Sequence, residues 1–238
     1  MKKIAVGSYE EASLVVAESI AELVRGKKDA TLGLATGGSV RLVYAELVKA
    51  FEKGNLSFSD VKTVNLDEYV GLPPSHPQSY RYYMNQHLFD LVDIDKANTC
   101  VPMGMEEPSA ALADFQKVLA SWPRDLQLLG IGSNGHIGFN EPSSFFETNA
   151  HLVTLDEQTR EDNARFFDSV NEVPRQAITM GVGDIMKASK IILLVHGENK
   201  KEALHELLSH DRVDPKVPCT ILKCHSDVTI VYPANLVS

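Results

Sequence analysis

The residues best equipped for chemistry lie in one short stretch, Gly130-Ile131-Gly132-Ser133-Asn134-Gly135-His136-Ile137-Gly138-Phe139-Asn140-Glu141-Pro142. It holds four glycines, two amides, an imidazole and a carboxylate, and it follows the apolar run Leu126 to Leu129. Nothing in it repeats at helix or strand period, so it reads as a loop at the end of a buried strand, where active-site residues are commonly displayed. Glycines such as Gly130 let backbone N–H groups approach a ligand closely. His136 is the one side chain there whose unperturbed pKa lies near neutrality, and Glu141 follows as a proton partner. One His and one Glu give too few ligands for a metal, and no HExxH pattern supports them. Ser133 lacks the GxSxG context of a nucleophile. General acid–base chemistry by Asn134, His136 and Glu141 is what remains.

Three further groups could serve the same site. Leu34-Ala35-Thr36-Gly37-Gly38-Ser39 joins a strand to a helix. Amides at a helix N-terminus favour an anion, so Gly37, Gly38 and Ser39 suit a phosphate. The rival is a tight turn with Ser39 as a helix cap. No Lys follows the glycines, which argues against a nucleoside triphosphate. Asn65-Leu66-Asp67-Glu68-Tyr69 places two acids where a strand ends. Burial could raise one of them toward neutrality and make it a proton carrier; a helix cap beside a solvated acid is the alternative. Lys200 and Arg165 offer cations. Lys200 stands at a helix start, where a ligand anion would offset the unfavourable dipole. Arg165 has a surface salt bridge as its plainer use.

These residues need elements to hold them. Ser8-x-x-Glu11 is a capping-box pattern, and Ala12, Val16, Ile20 and Leu23 continue it as one helical face. Thr31 to Ala35, Val61 to Leu66, Leu126 to Ile131, Ala177 to Val182, Ile191 to Val195 and Val228 to Tyr232 read as strands. Helical stripes run over 40–51, 111–119 and 200–208. Alternating strands and helices predict a mostly parallel sheet covered on both faces. Ligands bind beyond the carboxyl ends of such strands, where Thr36 to Ser39, Asp67 and the Gly130 loop all fall. No internal repeat or long linker is visible. One domain over 1–238 is expected, with 141–168 as a lid.

The chain has 238 residues, 44% of them hydrophobic, and a formal net charge of −9. The acidity argues against nucleic acid and against an anionic membrane as partners, though a small anion can still meet a locally basic pocket. No apolar stretch is long enough to span a bilayer, and the N-terminus reads as a first strand rather than a signal. Cys100, Cys219 and Cys224 form no zinc or disulfide framework; reduced, buried thiols and a cytoplasmic location are expected.

Taken together, the sequence resembles the glucosamine-6-phosphate deaminase family. The matching stretches are Leu34 to Ser39, Asn65 to Leu72, Gly135 to Pro142, Arg165-Phe166-Phe167-Asp168 and Ala177 to Gly183, in family order. The resemblance implies an α/β fold, a single three-layer NagB-like domain with a Rossmann-like sheet. It implies conversion of D-glucosamine 6-phosphate and water to D-fructose 6-phosphate and ammonia, with no metal or organic cofactor. By the same resemblance Asp67 is the base at C2, and His136 handles ring-opening protons with Asn134 and Glu141 in support. Gly37, Gly38, Ser39, Gly130, Arg165 and Lys200 then bind the sugar phosphate. The nearest rivals are a 6-phosphogluconolactonase and a sugar-phosphate-sensing regulator; the latter would need a DNA-binding segment, which is not visible.

Two departures from the family pattern matter. Asn134 stands where some members carry aspartate, and an amide can orient a histidine but brings no charge. His151-Leu152-Val153-Thr154 lacks the basic residues that follow the Pro142 loop in members controlled by N-acetylglucosamine 6-phosphate, and the chain ends soon after Tyr232. An unregulated enzyme is expected, a monomer rather than a hexamer.

Overall fold

The computed structural model describes residues 1–164, 167 and 169–237. Its elements in chain order are β1 (Lys2–Val6), α1 (Tyr9–Gly26), β2 (Thr31–Leu34), α2 (Arg41–Glu52), β3 (Lys62–Asn65), β4 (Asp67–Tyr69), α3 (Tyr80–Met84), β5 (Thr99–Cys100), α4 (Pro108–Ser121), β6 (Leu126–Leu129), β7 (His151–Thr154), α5 (Glu157–Ala164), β8 (Gln176–Thr179), α6 (Val182–Ile185), β9 (Lys190–Leu194), α7 (Lys201–Ser209) and β10 (Val228–Pro233).

Seven strands form one sheet in the order β1-β10-β9-β6-β2-β3-β5, and every pairing in it is parallel. The central strands β2 and β6 are buried along their whole length, as a parallel sheet covered on both faces requires. Helix α1 begins as its capping box predicts: Ser8 Oγ accepts the Glu11 N–H at 3.2 Å. The Glu11 carboxylate reaches back to the Gly7 N–H at 2.7 Å, one residue earlier than the usual box. Its buried face, Ala12, Val16, Ala17, Ile20, Ala21 and Val24, packs into the core. No helix of the described residues is long and apolar enough to cross a membrane.

The topology fixes where a ligand can enter. From β2 the chain steps outward to β3 and β5, then returns to β6 and steps the other way through β9 to β10. The order therefore reverses between β2 and β6, and open α/β sheets bind ligands in the crevice at such a switch point.

One expectation needs correction. The strand expected at 177–182 does not join the parallel sheet. As β8 it lies in a separate three-stranded antiparallel sheet, β4-β8-β7. A single residue, Leu66, separates β3 from β4. Its N–H still donates to Leu34 in the parallel ladder, while its carbonyl accepts the Met180 N–H at 2.7 Å. Leu66 thus hinges one sheet to the other and fixes Asp67 at the junction. The cysteines also differ from expectation: Cys219 is buried, Cys100 half-buried and Cys224 exposed.

Candidate active site

The loop after β6 builds an oriented imidazole. Glu141, as a carboxylate, can only accept hydrogen bonds, and the Asn134 amide nitrogen donates to its Oε2 at 2.9 Å. That turns Asn134 Oδ1 toward His136, where it meets Nδ1 at 2.8 Å and also accepts the His136 backbone N–H at 3.1 Å. Nδ1 must then carry the proton, which leaves Nε2 as the bare, basic nitrogen of the neutral ring. Glu141 Oε2 lies 3.5 Å from His136 Nδ1 and supplies the negative charge that Asn134 lacks. Gly132 makes room for the ring: a Cβ there would lie 2.2 Å from His136 Cε1. Asp156 also senses this cluster. Burial pushes its carboxyl up, and Glu141 adds to the rise.

Asp67 and Glu68 are both buried but differ in their hydrogen bonding. Glu68 is buried. Its carboxylate accepts the Tyr69 and Tyr80 N–H groups at 2.9 Å each and the Arg81 N–H at 3.0 Å. It therefore holds the first turn of α3 and is not a solvated acid; burial raises its carboxyl, and the three N–H groups oppose that rise. Asp67 is equally buried, 6% exposed. Burial holds its carboxyl well above the ordinary range, with the Glu68 charge adding to the rise. Among the described residues no hydrogen bond to its carboxylate offsets that burial. It pairs with Thr179 across the β4–β8 register, and residues directly opposite share a face. Thr179 Oγ1 accepts the Phe139 N–H at 3.0 Å. A Cβ on Gly138 would sit 3.1 Å from Thr179 Oγ1 and 3.5 Å from Asp67 Oδ2. The histidine loop and the buried acid are thus in direct apposition, with Thr179 binding them together.

The turn after β2 holds its carbonyls to one side. Tyr83 donates to the Gly37 carbonyl at 2.7 Å. Tyr9 donates to the carbonyls of Gly38 and Ser39 at 2.9 Å each. In a trans peptide the C=O and the following N–H point in opposite directions, so the amides of Gly38 and Ser39 face away from the two tyrosines. Among the described residues no side chain caps this turn or α2, so the reading of Ser39 as a helix cap does not hold. Gly37 takes φ of 93°, a conformation that favours glycine. Lys200 stands at the N-terminal boundary of α7, after β9, whose neighbour β6 ends at Leu129, just before Gly130. The Tyr9 ring stacks on His196, with centroids 3.8 Å apart, which brings the β9–α7 turn beside the β2–α2 turn. Arg165 lies outside the described residues. Among the other expected residues the structure gathers two groups, Asp67 with the Asn134–Glu141 loop and Gly37–Ser39 with the Lys200 turn, both at the ends of strands flanking the switch point. Tyr9 and Asp156 carry no signal in the sequence, Tyr83 reads there as helix packing rather than a ligand stack, and Thr179 stands out only as part of the Ala177–Gly183 stretch, since each meets a partner remote in sequence.

The family model for glucosamine-6-phosphate isomerases/6-phosphogluconolactonase matches residues 7–231. The chain belongs to the glucosamine-6-phosphate isomerase/6-phosphogluconolactonase family. Within this family it is 46% identical over 233 residues to a glucosamine-6-phosphate deaminase from Clostridium perfringens (strain 13 / Type A), covering 97% of this chain and 96% of that one. It is 46% identical over 240 residues to a glucosamine-6-phosphate deaminase from Thermoanaerobacter sp. (strain X514), covering 100% of this chain and 94% of the relative. Among solved structures, a monomeric glucosamine-6-phosphate deaminase, described as a missing link of the NagB superfamily, superposes with a TM-score of 0.96 at 41% identity over 99% of this chain and 98% of that one. The 6-phosphogluconolactonase from Leishmania guyanensis shares the family's fold, with a TM-score of 0.77 at 17% identity over 99% of this chain and 97% of that one.

Proposed function

We propose that this chain is a glucosamine-6-phosphate deaminase, converting D-glucosamine 6-phosphate and water into D-fructose 6-phosphate and ammonia. The observation that carries this reading is the apposition of a buried carboxylate, Asp67, with the oriented imidazole loop of His136. The sugar enters as a ring. His136 Nε2 takes the proton of the C1 hydroxyl and returns one to the ring oxygen, which opens the ring to the aldehyde. Asp67 then removes the proton from C2 while a proton of the substrate's ammonium group passes to O1, leaving an enolamine across C1 and C2, and Asp67 delivers its proton to C1. The C2–N bond becomes an imine. Water adds at C2, the C–N bond breaks, and ammonia leaves as the ketone forms.

The environments suit these steps. C2–H is weakly acidic, so its base must be close, preorganised and of high proton affinity. Asp67 gains that affinity from burial and its rigidity from Leu66 at the junction of the two sheets. Gly38 and Ser39 receive the phosphate on outward amides and Gly37 makes the turn that presents them, Gly130 gives its backbone room at the adjacent strand end, and Lys200 and Arg165 add charge.

The same reading takes residues 1–238 as one domain that works as a monomer in the cytoplasm. In this reading the stretch 141–168 acts as a lid, with 165, 166 and 168 outside the described residues. Phe167, within that stretch, meets the Tyr69 ring edge-on at 6.0 Å and lies 6.3 Å from the His76 ring.

A coupled assay with glucosamine 6-phosphate tests the proposal by reading ammonia and fructose 6-phosphate together. Equal amounts of both, abolished by Asp67→Asn, are expected. Ammonia without the ketose, or full activity in Asp67→Asn, overturns it. A lactonase would need no base at C2 and would keep lactone hydrolysis in that variant.

A further inference from the structure

Two segments far apart in sequence follow similar backbone paths, which differ mainly at the opening glycine, with ψ of −178° at Gly37 and 137° at Gly197. Gly37 has φ of 93° and Gly197 φ of 105°. Each opens a short 3-10 turn, 38–40 and 198–200. Val40 and Lys200 then match, with φ of −102° in both and ψ of −4° and −1°. Arg41 and Lys201 match again, at φ −57° with ψ of −43° and −46°. The helices that follow bury equivalent positions, Leu47 in α2 and Leu207 in α7. From strand to helix the two units share only Leu34/Leu194, Gly37/Gly197, Glu46/Glu206 and Leu47/Leu207, too few to mark a repeat in the sequence, so it is legible only in the backbone. It gives the sheet two strand–turn–helix units of one design, one on each side of β6.

Tyr9 is the residue that joins them. Its hydroxyl donates to both Gly38 and Ser39 carbonyls in the first turn. Its ring lies on His196 in the second, nearly parallel at 14°. Burial pushes the His196 imidazole below its ordinary pKa, which favours the neutral ring in the stack. Tyr9 is itself the first residue of α1, whose start is fixed by the Ser8–Glu11 box. A shift of either turn would break one of the two contacts.

We propose that Tyr9 and His196 form a positioning pair that sets the separation of the two turns and thereby the affinity of the site for the phosphate group of its substrate. This rests on the reading of the Gly37–Ser39 and Lys200 turns as the phosphate site. Neither residue touches the reacting carbons, so the pair acts on binding rather than on proton transfer.

The test measures KM and kcat for glucosamine 6-phosphate, and competitive inhibition by inorganic phosphate, in the full-length enzyme. Tyr9→Phe removes the hydroxyl and keeps the stack; His196→Leu removes the stack; His196→Phe restores an aromatic face. Tyr9→Phe and His196→Leu should each raise KM and the phosphate inhibition constant together, by about 3- to 10-fold, the scale of one hydrogen bond or one aromatic pair. The accompanying change in kcat should be far smaller, and His196→Phe should recover most of the loss. A fall in kcat with both constants unmoved, or no change in any of them, overturns the proposal. Ser39→Ala and Lys200→Ala run in parallel. If these two leave phosphate inhibition unchanged, the phosphate site itself is misassigned. If they raise it while the Tyr9 and His196 variants do not, only the positioning pair fails.

Discussion

Asn134 Oδ1 lies 2.8 Å from His136 Nδ1, and this contact sets which nitrogen of the ring is basic. The amide cannot turn over without setting its NH2 against the imidazole N–H and its oxygen against the Glu141 carboxylate. Asn134 is thus a tautomer lock. His136→Gln removes the proton carrier and should lower kcat by about 10²- to 10⁴-fold, the usual worth of a general acid–base. Asn134→Leu keeps the ring but frees its tautomer, so its loss should be smaller and should fall on kcat with little change in KM. Steady-state kinetics of the two variants check this; an Asn134→Leu enzyme with wild-type kcat would remove the lock from the mechanism.

The adjacent acids should separate cleanly. Asp67→Asn should abolish ammonia release yet stabilise the fold at neutral pH, because it removes a buried charge. The sign follows from the raised pKa. Between the unfolded value, about 3.9, and the higher folded value, the native state holds a proton that the unfolded chain has lost. Wild-type stability therefore declines as pH rises through that window and levels off above it. The gap in Tm between Asp67→Asn and wild type should be small near pH 4 and widen toward neutrality. Each unit of raised pKa is worth about 1.4 kcal/mol, and each kcal/mol moves Tm by about 2–4 °C in a chain of this size. Thermal melts across pH measure it, and a pH-independent gap would contradict the assignment.

Glu68→Gln should do the opposite. The carboxylate receives three backbone N–H groups, and a carboxamide offers only one acceptor oxygen. One buried N–H is left without an acceptor, at a cost of about 1–3 kcal/mol. Tm should fall while kcat/KM in the folded enzyme stays within a few-fold. A stable Glu68→Gln protein with its chemistry abolished would reverse the roles given to the two acids.

Gly132→Ala tests the ring's position from behind. The new methyl would collide with the imidazole ring, which makes no room for it at 2.2 Å, and Gly132 does not take a positive φ, so the backbone itself tolerates alanine. The ring must leave the Asn134 contact. The variant should fold and bind substrate, with kcat reduced at least as far as in Asn134→Leu. Retained kcat would place the functional ring elsewhere.

The parallel sheet was legible because its strands are mostly apolar runs buried on both faces, such as Ile191 to Leu194 and, with Gln127 within it, Leu126 to Leu129. The second sheet was not. Strand β4 is three residues long and follows β3 after one leucine, with no turn residue between them. Strand β7 alternates between half-buried and exposed, a pattern too short to set a register. The histidine loop, Asp67 and the glycine turn stood out because their residue types have no use in a core. Tyr9 and Tyr83 did not, because an aromatic on a helix reads as packing, and only the fold shows their hydroxyls on the Gly37–Ser39 carbonyls. Ser8-x-x-Glu11 showed where α1 starts, yet not that this start braces the site.

Beside Glu141 a cavity of about 280 Å³ opens between the histidine loop and β7. A second sugar phosphate bound there would need a cation, as regulated relatives are expected to supply after the Pro142 loop. Here its described lining includes Glu141, Glu147 and His151 but no Lys or Arg. The His151 Nδ1 is turned to its own chain, 3.0 Å from the Asn149 carbonyl. Two carboxylates facing one cavity repel an anion, and nothing opposite them repays its desolvation. Initial rates should follow a hyperbola in glucosamine 6-phosphate and should not respond to N-acetylglucosamine 6-phosphate. A sigmoidal curve that this compound converts to a hyperbola would show that the chain has a second anion site which these acids do not prevent.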